Sequence, residues 1–203
     1  MPAGCLRELG WNDELTAAFA PFAAEGLVPG RVVAGLSRLL RVATDDGETL
    51  AESSGGLRHQ ARGSGDLPGV GDWVALRPRA AGHRAVIHAI LPRRTAFLRR
   101  AAGERAIAQV LAANVDTVFL VMGLDGDYSP RRIERALILA WESGAEPVVL
   151  LNKADVCDDV AARRAEIESV SPGVPVRVIA AKPGRGRAAS RPVRVGDGHG
   201  AFG

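Results

Sequence analysis

Asn152, Lys153, Ala154 and Asp155 form an N-K-x-D tetrad directly after the apolar run 147–151. A carboxylate such as Asp155 can accept two parallel hydrogen bonds from adjacent N–H groups, a donor pair that one edge of guanine presents and adenine lacks. The amide of Asn152 can donate to a ring nitrogen and also tie neighbouring loops together. The alkyl stem of Lys153 can cover a base face while its ammonium stays in water. A buried strand that ends in these residues offers a purine-reading site at the carboxyl edge of a parallel sheet, where open α/β folds hold their ligands. A polar loop after a buried strand has a similar composition, so the tetrad gains its meaning from the strand before it.

The elements around the tetrad follow from periodicity. Residues 117–122 are a continuous apolar run suited to a buried parallel strand, and Ser129-Pro130 supplies a helix cap with proline in the first turn. Ile133, Ala136, Leu137, Ala140 and Trp141 then share one helical stripe, with Gly144 as the stop. A strand over 147–151, a helix over 161–170 and a strand over 174–179 complete a β-α-β-α-β order, which implies three parallel strands with right-handed crossovers. Three strands are few for such a sheet, so Val118, Leu120, Val149 and Leu151 are expected on a poorly covered surface.

Upstream the pattern differs. Residues 12–26 predict a helix with Leu15, Ala18, Phe19 and Phe22 on one stripe and Gly26 as the stop. Short strands are predicted over 31–37, 39–44, 48–52, 57–62, 70–76 and 85–91, with Asp46-Gly47 as a hairpin turn and Pro68-Gly69 as later punctuation. Several short strands within about sixty residues point to a small closed barrel of the OB-fold type, which binds oligonucleotides across one face. After Pro92 come Arg93, Arg94, Arg99, Arg100 and Arg105 around Phe97. Arginines grip phosphates bidentately and an exposed Phe stacks a base, so Arg93, Arg94, Phe97, Arg99 and Arg100 are candidates for RNA contact. A solvated linker helix accounts for the same residues equally well.

Charge is distributed unevenly behind the net +3. Residues 29–113 carry thirteen Arg against seven acids, while 114–181 carry seven bases against eleven acids. A basic module points to a polyanionic partner, though a solvated charged face is the simpler origin. The cysteines, Cys5 and Cys157, form no framework, and the four histidines are scattered, so no metal site is expected. The absence of a long apolar run or a signal core at residues 1–7 predicts a cytoplasmic protein with no membrane association.

The 203 residues contain no G-x-x-x-x-G-K-[ST] phosphate loop, whose backbone N–H groups and lysine would hold a nucleoside triphosphate. In the usual order that loop precedes the base-reading tetrad, yet here a barrel and an arginine-rich stretch stand upstream. An order with the base-reading half first is a circular permutation, which compact folds tolerate.

Four phrases together resemble the bacterial ribosome small-subunit-dependent GTPase A family: Val70-Gly71-Asp72-Trp73-Val74, Leu91-Pro92-Arg93-Arg94, Gln109-Val110-Leu111-Ala112-Ala113-Asn114-Val115-Asp116, and Leu150-Leu151-Asn152-Lys153-Ala154-Asp155. The similarity spans residues 6 to 181. It implies an N-terminal OB-fold barrel followed by the first part of a circularly permuted P-loop-type GTPase domain, a parallel sheet with helices on both faces. It also implies GTP hydrolysis stimulated by the 30S subunit, GTP or GDP with Mg²⁺, contact with 16S rRNA, and a monomer. By matching position, Asn152, Lys153, Ala154 and Asp155 read guanine, with Ala180 and Ala181 as the supporting loop. The family's zinc ligands have no counterparts in this sequence, and no catalytic residue is identifiable. The expected organisation is a helical extension over 1–28, an RNA-binding OB-fold over 29–92, a basic linker over 93–113, a partial GTPase domain over 114–181 and a disordered Gly/Arg-rich tail over 182–203. The abrupt change near residue 182 leads to the expectation of a truncated or frame-shifted chain inactive in hydrolysis. Two alternatives stay open: an rRNA-binding OB-fold module with a vestigial GTPase domain, and a nonfunctional product of a damaged gene.

Overall fold

The computed structural model describes residues 4–36, 39–78, 83–100 and 108–180. They fall into two compact units, one within Met1–Asp116 and Leu139–Glu146, the other within Thr117–Ile138 and Pro147–Gly203. The tail over 182–203 and Ala181 lie outside the described residues.

The first unit begins with two helices, α1 (Cys5–Glu8) and α2 (Asp13–Ala24). Asn12 caps α2 by accepting from the Leu15 N–H at 2.9 Å. Phe19 is buried, with Leu15, Ala18 and Phe22 beside it, in a cluster that joins Leu6, Trp11, Trp73 and Leu91. The predicted stripe is therefore the face that α2 buries, and a side chain such as Phe19 contributes about 2 kcal/mol there.

Five strands follow: β1 (Val28–Leu36), β2 (Leu39–Thr44), β3 (Gly47–Ser53), β4 (Trp73–Arg77) and β5 (Ala85–Ile90). They close in the order β1-β2-β3-β5-β4, with β3 and β5 parallel and the other pairs antiparallel. This is the OB-fold barrel, filled by Val32, Val42, Ala51, Val74, Leu76, Ala85 and Ile87. The strand predicted over 57–62 is instead the helix α3 (Gly55–Gln60). Ser54 accepts from the Leu57 N–H at 3.0 Å, a cap that starts a helix, and only Leu57 packs on the barrel, too little apolar alternation to sustain a strand.

The stretch 93–113, expected as a linker, contains two strands, β6 (Ala96–Arg100) and β7 (Ala108–Ala113), paired antiparallel with a register shift between Phe97 and Leu98. Its root is fastened to the barrel: the Ala113 N–H donates to the Val70 carbonyl at 2.8 Å.

The second unit is a three-stranded sheet in the order β10-β9-β8, from β8 (Thr117–Gly123), β9 (Glu146–Asn152) and β10 (Val176–Val178). The crossovers are α4 (Pro130–Ser143) and α5 (Val160–Val170), and both the end of α4 and the first residue of β9 belong to the first unit. β10 pairs parallel with β9 through Val176↔Val149, Arg177↔Leu150 and Val178↔Leu151. The Leu124 N–H, just past β8, donates to the Asn152 carbonyl at 2.9 Å, so β8 and β9 also end at the same edge. Ile133 and Leu137 of α4 and Ile167 of α5 pack in one cluster with Val149, Leu151 and Met122. Of the helices expected on both faces, the two described ones share this face. Val149 and Leu151 are thus fully buried, contrary to the expectation of poor cover, and Val118 and Leu120 are half-buried. The exposed apolar side chains of β8 are Phe119 and Val121, at 52% and 61%, because strand side chains alternate and both crossovers lie on one side.

Candidate functional site

The N-K-x-D tetrad sits where three chain segments reach the carboxyl edge of the sheet. Asn152 is the last residue of β9, Lys153 takes the left-handed conformation at φ 62° and ψ 37°, and Ala154–Val156 make one 3₁₀ turn. The Asn152 Oδ1 accepts from the Lys153 N–H at 2.8 Å, a local bond that a short amide side chain makes readily at such a turn. On the β10 side, the Ile179 N–H donates to the Leu151 carbonyl at 2.8 Å and the Ala154 N–H donates to the Ile179 carbonyl at 3.3 Å. These bonds carry the exposed Ala180 to the edge beside the tetrad. Asp155 is exposed there as well.

On the β8 side stands a residue that the motif did not reveal. Asp125 forms an ion pair with the Lys153 ammonium through Oδ2, while its Oδ1 accepts from the Asp127 N–H at 3.3 Å. The lysine bond and the Asp127 backbone bond hold the Asp125 carboxyl below the usual range, and the same bond raises the Lys153 ammonium. Gly123 leaves room for this turn. A Cβ on it would lie 2.5 Å from the Asp125 Oδ1 and 3.6 Å from the Lys153 Cδ. The available signal was the acidic Asp125-Gly126-Asp127 turn at the end of an apolar run parallel to the one before Asn152.

The candidates for RNA contact separate in space. Arg93 is directed into the protein: its Nε and Nη2 donate to the two carboxylate oxygens of Asp72 at 2.7 Å each, and Nη1 and Nη2 donate to the carbonyls of Gly65 and Leu67 at 2.6 and 3.0 Å. Arg94 is exposed and pairs with Asp116 at 2.6 Å. Phe97 is half-buried on β6. Arg99 and Arg100 follow on the same strand, and their side chains lie outside the described residues, as does Arg105.

Three of the four quoted phrases meet at one joint of the first unit. Asp72 holds Arg93, the Val70 carbonyl accepts from the Ala113 N–H, and the Asn114 Nδ2 donates to the Gly71 carbonyl at 3.1 Å. Asn114 is buried at φ 53°, and its Oδ1 accepts from the Arg94 N–H at 3.0 Å. Gly71 has φ +90°, and a Cβ there would lie 2.0 Å from the Ala113 carbonyl oxygen. Arg31 adds hydrogen bonds to the carbonyls of Leu9 and Asn114 and stacks its guanidinium 5.1 Å from the Trp73 ring. Among the described residues no three or more His, Cys, Asp or Glu side chains are grouped to hold a metal ion.

The model of the RsgA GTPase family matches residues 90–193, half of the sequence. This chain belongs to that family. The match runs past Ala181, where the sequence was expected to depart from the family pattern. A relative from Opitutus terrae, the small ribosomal subunit biogenesis GTPase RsgA, is 46% identical over 195 residues, covering 92% of this chain and 53% of its own length. The crystal structure of YjeQ from Thermotoga maritima superposes with a TM-score of 0.59 at 27% identity, covering 76% of this chain and 52% of YjeQ. YloQ, described as a circularly permuted GTPase, superposes with a TM-score of 0.55 at 18% identity over the same shares, a likeness of fold. The chain therefore spans about half the length of the relatives it matches.

Proposed function

We propose that this chain carries the RNA-binding barrel and the guanine-reading part of a GTPase that acts in biogenesis of the small ribosomal subunit. The observation that carries the reading is the position of Asn152, Lys153 and Asp155 at the carboxyl end of the central parallel strand, with the β8 and β10 edges on either side. That is where an open α/β sheet binds its ligand. Support for the ribosomal role comes from the relatives that bear that name, among them one at 46% identity. The barrel and its arginines would contact 16S rRNA of the 30S subunit, and the protein would work in the cytoplasm. Among the described residues no helix is long and apolar enough to cross a membrane.

Hydrolysis requires Mg²⁺, a loop lysine and backbone donors around the transferring phosphoryl group. The 203 residues contain no such loop, so these residues alone bind guanine nucleotide weakly and do not turn it over. The test is titration of the full chain with GDP and with xanthosine diphosphate, followed by amide NMR shifts. In D155N the side chain can accept from the purine N1–H and donate to the carbonyl that xanthine has in place of the guanine amino group. The expected result is exchange of preference from GDP to xanthosine diphosphate. An unchanged preference sinks the assignment of Asp155 to the base.

A further inference from the structure

Resting on that guanine-binding reading, we infer that Asp125 is a positioning residue of the base site: it tethers the Lys153 ammonium so that the lysine stem is held extended beneath an incoming purine. Four observations converge. The two side chains come from adjacent strands that end at the same edge, joined there by the Leu124 N–H and Asn152 carbonyl. The Asp125 carboxylate is divided between two donors, the Asp127 N–H on Oδ1 and the Lys153 ammonium on Oδ2, which fixes its orientation. Gly123 leaves open the space that the Asp125 carboxylate occupies, 2.5 Å from where a Cβ would stand, with the Lys153 stem in ordinary contact range beside it. Lys153 itself is in the left-handed conformation with its N–H held by Asn152, so its side chain leaves the backbone in a set direction.

A lysine side chain free in water samples many rotamers, and a stem that must lie flat under a base loses that freedom on binding. An anchor on the ammonium removes part of the loss before the ligand arrives. Asp155 reads the donor pair of the base, whereas Asp125 acts only through Lys153. The two carboxylates therefore have separable effects.

The test is a double-mutant cycle on the full chain, with GDP as the probe and amide NMR titration as the readout. D125N keeps an oxygen that accepts from the Asp127 N–H and loses the charge that holds Lys153. It should weaken GDP binding about threefold, the size expected of one exposed ion pair. In a K153M background the same change should have no further effect. An unchanged affinity in D125N, or equal weakening in both backgrounds, overturns the inference, since a role in the turn alone does not depend on Lys153. If D125N loses its dispersed spectrum, D125E keeps the charge, alters its reach and enters the same two-background comparison. Weakening by D155N with none from D125N overturns this inference alone, whereas no saturable GDP binding by the unmodified chain overturns it together with the base-site reading.

Discussion

Asp72 and Arg93 form a two-pronged pair inside the first unit: the carboxylate is fully buried and the guanidinium donates to both of its oxygens at 2.7 Å. Gly69 donates its N–H to the same carboxylate at 2.8 Å, so the buried charge is compensated from two sides. An arginine that the sequence offers to RNA is engaged within the protein.

Removing one partner of such a pair leaves the other buried and uncompensated. R93A should therefore destabilise the barrel unit by about 3 kcal/mol, and R93K should recover part of that loss because lysine keeps the charge without the fork. Urea unfolding followed by fluorescence of the buried Trp11 and Trp73 measures both. A loss below about 1 kcal/mol would assign Arg93 to the surface after all.

Binding of the chain to single-stranded RNA should weaken with salt, and joint replacement of Arg94, Arg99 and Arg100 by alanine should lower the slope of log K against log salt by about 0.7 for each phosphate that is no longer neutralised. Filter binding across a salt series reads this directly. An unchanged slope would mark these arginines as a solvated edge.

Gly71 is held at φ +90° with no space for a side chain, whereas Gly35 of β1 has nothing within 4 Å of where a Cβ would stand. G71A should cost more than about 2 kcal/mol and loosen the root of the β6–β7 hairpin, while G35A should be nearly neutral. Comparable urea midpoints for the two variants would contradict the joint described above.

Tyr128 is the single tyrosine of the chain, so its ionisation can be read from ultraviolet absorbance without interference. Burial, followed by its hydrogen bond to Glu166 at 2.8 Å, pushes its pKa up to about 12 from the ordinary 10.0. Between those values the folded state binds more protons than the unfolded one, so this group's contribution to stability is complete below pH 10 and is lost as the pH rises toward 12. The absorbance midpoint in the folded chain should lie above that of the urea-unfolded chain, and Y128F should remove this component of the pH dependence. Equal midpoints would contradict the half-buried setting of the ring and its bond to Glu166.

Short-range patterns determined much of this protein. The stripe of Leu15, Phe19 and Phe22, the alternation that builds the barrel, and the run into Asn152 are local, because helical and strand periods write burial directly into spacing. The tetrad was legible for the same reason: a strand end and its first turn bring four consecutive residues to one edge. Tertiary structure decided what depended on distant partners. Ser54 and the limited apolar cover at Leu57 turned a predicted strand into α3, the fastening of Ala113 to Val70 accompanied a hairpin where a linker was expected, and Asp72 drew Arg93 inward across 21 residues. Asp125 lies 28 residues from Lys153, and only the parallel alignment of β8 with β9 sets the two side by side. A periodic pattern records which face of an element is buried, but the neighbour that buries or pairs with it is chosen by topology.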